Sequence, residues 1–507
     1  MQDLLNVLNE KFNLPDFKKG QLSIIESIVK GQDTLAVMPT GGGKSLCYQL
    51  PAVCAEKLVI VISPLISLMK DQVRQLKERG INCGHFYSGQ DLEEKREIFA
   101  EIKKGGTYLL YLSPERVQNP GFCEWIKNQE VALFAIDEAH CVSQWGPDFR
   151  EDYHKLKRLR DLRPEVPLLA LTATATPLVL NDVGKKLGMK SPDKHVYGFY
   201  RPNLFYQVEI CHNDEEKINW ICSAVSQTTT GKILIYCGTR QNTQDLAKIL
   251  KKQFKKVGSY HAGMSMEKRK EIQENITTDK IRIVTATNAF GMGIDYPDVR
   301  LVIHYQMPAN IESFYQEMGR AGRDGIPSLC LLLYSKKDKG LQSYFIRESN
   351  AAPDVIRRKW DCLEAIVQFS EGAGCRHAGI LTYFKDTERI EECGHCDTCS
   401  PSGKLMLFLK KNEVIQTKSS VKKSKPSKEK KELNNQELAR RIILKDWRKN
   451  YARENDLPAF VIFSDKTLDQ LAISDPKNKD ELLTVYGFGP AKTESLGDHI
   501  LRQLGHL

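Results

Sequence analysis

Met38-Pro-Thr-Gly-Gly-Gly-Lys-Ser45 decides how this chain is read. It follows the apolar run Thr34-Leu-Ala-Val-Met38, which reads as a buried strand. It precedes Leu46-Cys-Tyr-Gln-Leu50, which can open a helix. A strand, a glycine-rich turn and a helix N-terminus together make a phosphate cradle. Gly41, Gly42 and Gly43 let backbone N–H groups converge on phosphate oxygens, and the helix dipole adds positive potential. Lys44 can reach the β- and γ-phosphates, and the Ser45 hydroxyl can ligate Mg²⁺. Met38 stands where the usual pattern has glycine, and Pro39 and Thr40 complete the loop. The competing reading, a flexible turn that ends by chance in Lys-Ser, ignores the strand before it and the helix after it.

Upstream, Phe17-Lys18-Lys-Gly-Gln21 precedes an apolar-periodic helix over Leu22–Val29. An aromatic and a glutamine placed there can stack on adenine and read its edge. Downstream come four further apolar runs with polar C-terminal ends: Leu58–Ser63, Tyr108–Ser113, Val131–Ile136 and Leu168–Leu171. Continuous apolar strands are the mark of a doubly wound parallel sheet, whose ligands bind at the carboxyl ends of its strands. The third run ends in Asp137-Glu-Ala-His140. Asp137 can hold Mg²⁺ beside Ser45, and Glu138 can orient and deprotonate an attacking water.

The alternation then repeats with Lys232–Cys237, Ile281–Thr285 and Val299–His304, but without a second cradle. Gln316-Glu-Met-Gly-Arg-Ala-Gly-Arg323 follows the last of these. Arg320 and Arg323 are expected to reach across to a γ-phosphate held by the first sheet.

At 507 residues the chain predicts three or four domains, and its 41% apolar and 27% charged content is that of a soluble globular protein. The longest apolar stretch, Leu58 to Met69, is too short to span a bilayer, and no secretory segment is visible at Met1. We expect no membrane partner and a cytoplasmic location, nucleoid-associated if the source is bacterial. The net charge of +10 is concentrated in residues 400–431, where ten lysines face two glutamates. Polyanion binding by the large N-terminal part must therefore use local patches.

Of fourteen cysteines, ten are scattered singly; the others are Cys375, Cys393, Cys396 and Cys399. Two overlapping Cys-x2-Cys steps with a distant fourth cysteine suit a closed tetrahedral Zn²⁺ site with a structural role. His395 lies within the cluster and is left out, because the cysteines already fill the ligand set.

Taken together, Phe17–Gln21, Met38–Ser45, Ser63–Gln72, Asp137–His140, Thr172–Thr176, Ala286–Asp295 and Gln316–Arg323 resemble superfamily 2 helicases. His140-Cys-Val-Ser-Gln144-Trp145-Gly-Pro-Asp-Phe149-Arg150 narrows the resemblance to the RecQ family of DNA helicases, being similar to that family's aromatic-rich loop. Trp145 and Phe149 offer faces on which bases can stack. The chain departs from the family at Pro147, where His is usual, at Glu151, where Pro is usual, and at Tyr296, where Lys often stands.

The resemblance implies an α/β architecture of two RecA-like doubly wound parallel-sheet domains, over 1–205 and 206–338. A helical zinc-binding subdomain over 339–400 follows, then a basic linker over 401–432 and a small all-α HRDC-like domain over 433–507. It implies an ATP-dependent DNA helicase that moves 3′→5′ on single-stranded DNA in repair or recombination, with ATP, Mg²⁺ and structural Zn²⁺ as cofactors. Single-stranded and tailed or forked duplex DNA are the expected partners, with other repair proteins held through the tether or the HRDC-like module.

Many RecQ proteins carry a winged-helix domain of about a hundred residues after the zinc site; here some thirty residues stand in its place. Their Lys-, Ser- and Pro-rich composition reads as a disordered tether, either a non-specific grip on DNA phosphates or a merely soluble linker. Gly487 and Gly489, with Lys492 nearby, could meet a phosphate; protein docking is the equal alternative for this near-neutral module. Three rivals to the helicase reading remain: a translocase or annealing factor with little unwinding, an RNA substrate, and a non-enzymatic DNA scaffold.

Overall fold

The computed structural model describes residues 2–409, 434–455 and 459–506, apart from Thr40, Ser88, 147–148, 292–295 and Asn350. Thr40, Pro147, the end of the Ala286–Asp295 motif and most of the basic linker therefore lie outside the described residues.

The first sheet comprises β1 (Thr34–Val37), β2 (Leu58–Ile62), β3 (Cys83–Phe86), β4 (Tyr108–Leu112), β5 (Val131–Ile136), β6 (Leu168–Thr172) and β7 (Asp193–Val196). Its order is β3-β4-β2-β5-β6-β1-β7, and every pairing is parallel. Side chains alternate between two separate cores: Leu58, Ile60 and Ile62 enter one, Val59 and Val61 the other. Helices cover both faces, so strands with a two-residue period still read as unbroken apolar runs.

The second sheet comprises β8 (Leu204–Ile210), β9 (Lys232–Tyr236), β10 (Val257–Tyr260), β11 (Ile283–Ala286), β12 (Val299–His304) and β13 (Ser328–Tyr334). Its order is β10-β11-β9-β12-β13-β8, again all parallel. Four strands that sequence reading passes over, β3, β7, β8 and β10, form the sheet edges. β3, β7 and β10 contain Gly, His, Asp or Lys, and β8 carries Gln207 and Glu209, because an edge strand is less fully enclosed. The fifth, β13, is wholly buried and apolar, a pattern that does not separate strand from buried helix.

Three helices, Lys336–Arg347, Pro353–Glu371 and Arg376–Tyr383, lead to the cysteine cluster. A separate compact core follows, with Leu444, Phe463, Leu468, Leu471, Leu482, Val485 and Ile500 packed between the helices Asn435–Glu454, Asp465–Ser474 and Pro490–Leu504. This helical module rests on the Pro353–Glu371 helix. Asp465 Oδ2 accepts from the Ala373 amide at 3.0 Å, and the Tyr486 hydroxyl donates to Glu371 at 3.4 Å. No helix among the described residues is long and apolar enough to cross a membrane.

Candidate active site between the two sheets

The cradle lies where β1 ends. Met38 is buried, its amide donating to Thr172 O at 3.0 Å and its sulfur lying 3.6 Å from Cys47 Sγ. The position thus continues the strand into the core, and an apolar side chain serves where the usual pattern has glycine. Gly42 N donates to Pro39 O at 2.9 Å to close the turn. Gln21 ties the upstream motif to the loop: its Nε2 donates to Gly43 O at 3.1 Å, and its Oε1 accepts from Lys18 N at 2.7 Å. Lys18 Nζ donates to Gly41 O at 2.9 Å, and Phe17 is half-buried against the first-sheet core. Gly43 has φ +75°, and a Cβ there would run into Gln21 Nε2. Only glycine fits.

Asp137 leaves the end of β5 with its amide bonded to Ile62 O at 2.9 Å. Burial, with Glu138 beside it, pushes the Asp137 carboxyl up to about 7, while Lys44 pulls it back. A buried carboxylate facing one lysine suits a divalent cation, whose charge would reverse that shift. Glu138 takes a left-handed backbone at φ +48°, and its buried Oε2 has no hydrogen-bond partner. That orphaned acceptor is the group expected to meet a water. Tyr153 Oη donates to Asp137 O at 3.1 Å, holding the turn from below.

His140 is fully buried. Its Nδ1 lies 2.8 Å from Thr172 Oγ1 and 3.4 Å from Glu138 Oε2. It therefore stands between the acid and the Thr172–Thr174 turn, hydrogen-bonded to the turn alone among these two. Past it, Gln144 is exposed, Trp145 is half-buried, and Phe149 is exposed with its ring edge toward His154. Arg150 Nη1 donates to Pro64 O at 3.2 Å and lines a cleft of about 510 Å³.

Apart from Arg150, the described residues that line this cleft lie between Tyr236 and Phe345, in the second half of the motor, and none belongs to the cradle or to the Asp137–Glu138 pair. Arg320 is buried there beside Tyr236, and its Nη2 lies 3.1 Å from where a Cβ on Gly291 would sit. Arg323 crosses to the cradle: a Cβ on Gly41 would stand 3.7 Å from Arg323 Cγ. The two sequence motifs, some 280 positions apart, thus meet face to face. Two residues outside the sequence reading support them. Arg201 Nη2 donates to Ala321 O and Gly322 O at 3.0 and 3.1 Å, and Asn203 Nδ2 donates to Gly322 O at 2.8 Å. They act on backbone carbonyls from a connection without periodicity, so no local pattern marks them. Tyr296 packs instead of reaching a phosphate, with its hydroxyl on Gln273 O at 3.3 Å and its ring near Lys232.

Cys375, Cys393, Cys396 and Cys399 bring their sulfurs within 4.8 Å of one another. Zinc–sulfur bonds of about 2.3 Å set tetrahedral sulfurs about 3.8 Å apart, inside that limit. The Ala378 and His395 amides donate to Cys375 Sγ and Cys393 Sγ at 3.5 and 3.4 Å, the support an anionic thiolate needs. The residues fit Zn²⁺. His377, Cys393 and His395 form a second grouping, but His377 Nε2 is within hydrogen-bond reach of Leu204 O at 3.0 Å, and burial lowers its pKa to about 4.

Two parallel-sheet domains that share a phosphate cradle, an acidic strand end and a facing arginine pair define a superfamily 2 helicase motor. Known proteins agree. The DEAD/DEAH box helicase pattern matches residues 18–183, the helicase conserved C-terminal domain 216–325, the RecQ zinc-binding pattern 336–400 and the HRDC domain 437–504. The ATP-dependent DNA helicase RecQ of Bacillus subtilis is 34% identical over 98% of both chains. Its namesake in Pasteurella multocida is 35% identical over 100% of this chain and 74% of its own. That of Haemophilus influenzae is 41% identical over 78% of this chain, which spans 63% of the relative's length. Among solved structures, Saccharomyces cerevisiae Dbp5 bound to RNA and ADP BeF3 matches 72% of this chain and 97% of its own at TM-score 0.53 and 16% identity. Mycobacterium smegmatis Lhr bound to ssDNA and AMP-PNP covers 70% of this chain and 52% of its own at TM-score 0.51 and 20% identity. These two speak for the fold alone. The chain belongs to the RecQ helicase family.

Proposed function

We propose that the chain is an ATP-dependent DNA helicase that couples hydrolysis in the cleft to 3′→5′ movement along single-stranded DNA, in repair and recombination. Arg323 set against Gly41 carries this reading, because a nucleotide in the cradle would be touched from both sheets. ATP with Mg²⁺ supplies the cleavable phosphoanhydride and its counter-charge. Lys44 neutralises the β- and γ-oxygens, while Ser45 and Asp137 hold the metal side. Glu138 takes the proton of the attacking water, and Arg320 and Arg323 offset the charge that builds on the transferred group. Phe17, Lys18 and Gln21 hold the adenine end. Because the ligand is shared, its presence favours a closed cleft and its cleavage an open one. A strand lying over both sheets, stacked on Trp145 and Phe149, moves with that cycle. Cys375, Cys393, Cys396 and Cys399 hold zinc as a structural brace. If the source is bacterial, the protein belongs in the cytoplasm on the nucleoid.

A second reading, a DNA-stimulated translocase or annealing factor with little unwinding, draws on one observation. Only 24 residues separate Leu409 from Asn434, too few for a winged-helix domain. Unwinding of 3′- and 5′-tailed duplexes, with ATP hydrolysis read in parallel, separates the two. Separation of the 3′-tailed duplex alone, abolished by Lys44→Ala, supports the helicase. Vigorous DNA-stimulated hydrolysis without separation supports the translocase.

A further inference from the structure

Beside the large cleft lies a second cavity of about 190 Å³, between the aromatic-rich loop and the helices Lys336–Arg347 and Pro353–Glu371. Its size is below the roughly 300–1,000 Å³ of sites for drug-sized ligands, so it admits a single planar heterocycle. Trp145 contributes to its wall from the first half of the motor, and Phe345 from the helix that follows β13 in the second. Phe345 also lines the large cleft, so it stands where the two spaces join.

Phe345 is 45% exposed and its neighbour Tyr344 57%, with ring centroids 5.9 Å apart. Two adjacent aromatic rings left in water, at the mouth of a cleft lined by Arg150 and Arg320, have the make-up of a base-stacking platform. Arg358 and Lys359 line the small cavity; Glu312 and Asp361 stand near the Arg358 guanidinium, yet its buried Nε–H has no hydrogen-bond partner. A buried guanidinium donor with no acceptor is costly, and a base edge or phosphate oxygen would satisfy it.

We propose that this cavity receives one unstacked base of the single strand, held between Trp145 and Phe345, with Arg358 donating to its edge or to its phosphate. Stacking tolerates any sequence, because every base has a π-face. The grip spans the two motor halves, so it tightens and loosens as the cleft closes and opens. The inference rests on the single-strand DNA reading above and names a contact that the aromatic-rich loop alone does not supply.

The test compares Phe345→Ala, Phe345→Leu and Phe345→Trp in the full chain. Anisotropy measures binding to a fluorescent oligo-dT, ATP hydrolysis is titrated with the same oligonucleotide, and thermal melting checks the fold. Phe345→Ala is expected to weaken binding about tenfold and to raise the DNA concentration for half-maximal hydrolysis by the same factor. Phe345→Leu, apolar but without a π-face, should behave like Ala; Phe345→Trp should restore both readouts. All three should melt close to the parent, since Phe345 is nearly half exposed and lies outside the buried core. A stimulated parent whose Phe345→Ala or Phe345→Leu variant matches it in both readouts overturns the inference alone. A parent that neither binds the oligonucleotide nor responds to it overturns the functional reading and the inference together.

Discussion

At Asp137 the buried carboxyl and the metal it is expected to serve pull in opposite directions. Its pKa is raised from 3.8 to about 7 by desolvation, then by Glu138. The folded, nucleotide-free chain therefore binds this proton more tightly than the unfolded chain does. The resulting stability is fully present below pH 3.8 and is lost as pH rises through about 7. Mg²⁺ needs the carboxylate, so below pH 7 protons compete with it. The Mg²⁺ concentration for half-maximal ATP hydrolysis should rise about fivefold between pH 7 and pH 6, and change by less than about 1.5-fold from pH 7.5 to 8.5. An equal Mg²⁺ midpoint at pH 6 and 8 would remove Asp137 from the metal site. Glu138→Gln should cut turnover by about 10²–10⁴ while ATP still binds, as read by single-turnover hydrolysis beside fluorescent-nucleotide titration. These residues were legible because their chemistry is local: a cradle or an acidic strand end is spelled within eight positions. Arg201 and Asn203 were not, because what they hold is a backbone more than a hundred residues away.

The zinc-bearing segment depends on one buried ion pair. Arg376 Nε and Nη2 donate to the two Asp397 oxygens at 2.8 and 3.0 Å, and both side chains are under 10% exposed. Asp397 in turn accepts from Val208 N at 2.8 Å, and its own amide donates to Tyr206 O at 2.9 Å, so the cysteine loop is stitched to β8. Arg376→Ala strands a buried carboxylate, which should cost about 3–5 kcal/mol. A lowered melting temperature and faster zinc loss to a chelating dye would show it; unchanged zinc retention would contradict the stitching role. The cysteine spacing announced this element, yet nothing in the spacing said that it would be fastened to an edge strand of the second sheet. That strand itself escaped reading because its outer end is polar and half-exposed.

Across the whole molecule, the C-terminal helical module is docked against the motor, and Lys492 lies in the joint. Its Nζ is buried without a hydrogen-bond partner, and burial lowers its pKa despite Glu364 and Asp361 nearby. A lysine read from the sequence as a phosphate neighbour thus faces the Pro353–Glu371 helix instead. Docking should release a proton and so tighten as pH rises toward 10.5, the ordinary lysine value. Lys492→Met keeps the volume and removes the charge, so it should dock more firmly: a smaller radius of gyration by X-ray scattering. A more open chain would mean that attraction to Glu364 and Asp361 outweighs desolvation. The sequence by itself determined the strands with buried faces, the phosphate cradle, the acid pair and the four thiols, since each is written in residues close along the chain. Only the tertiary structure decided that Arg323 meets Gly41, that Phe345 stands near Trp145 and that Lys492 is buried. Those meetings join positions far apart in the chain, and they are set by how sheets and helices pack, which no local pattern encodes.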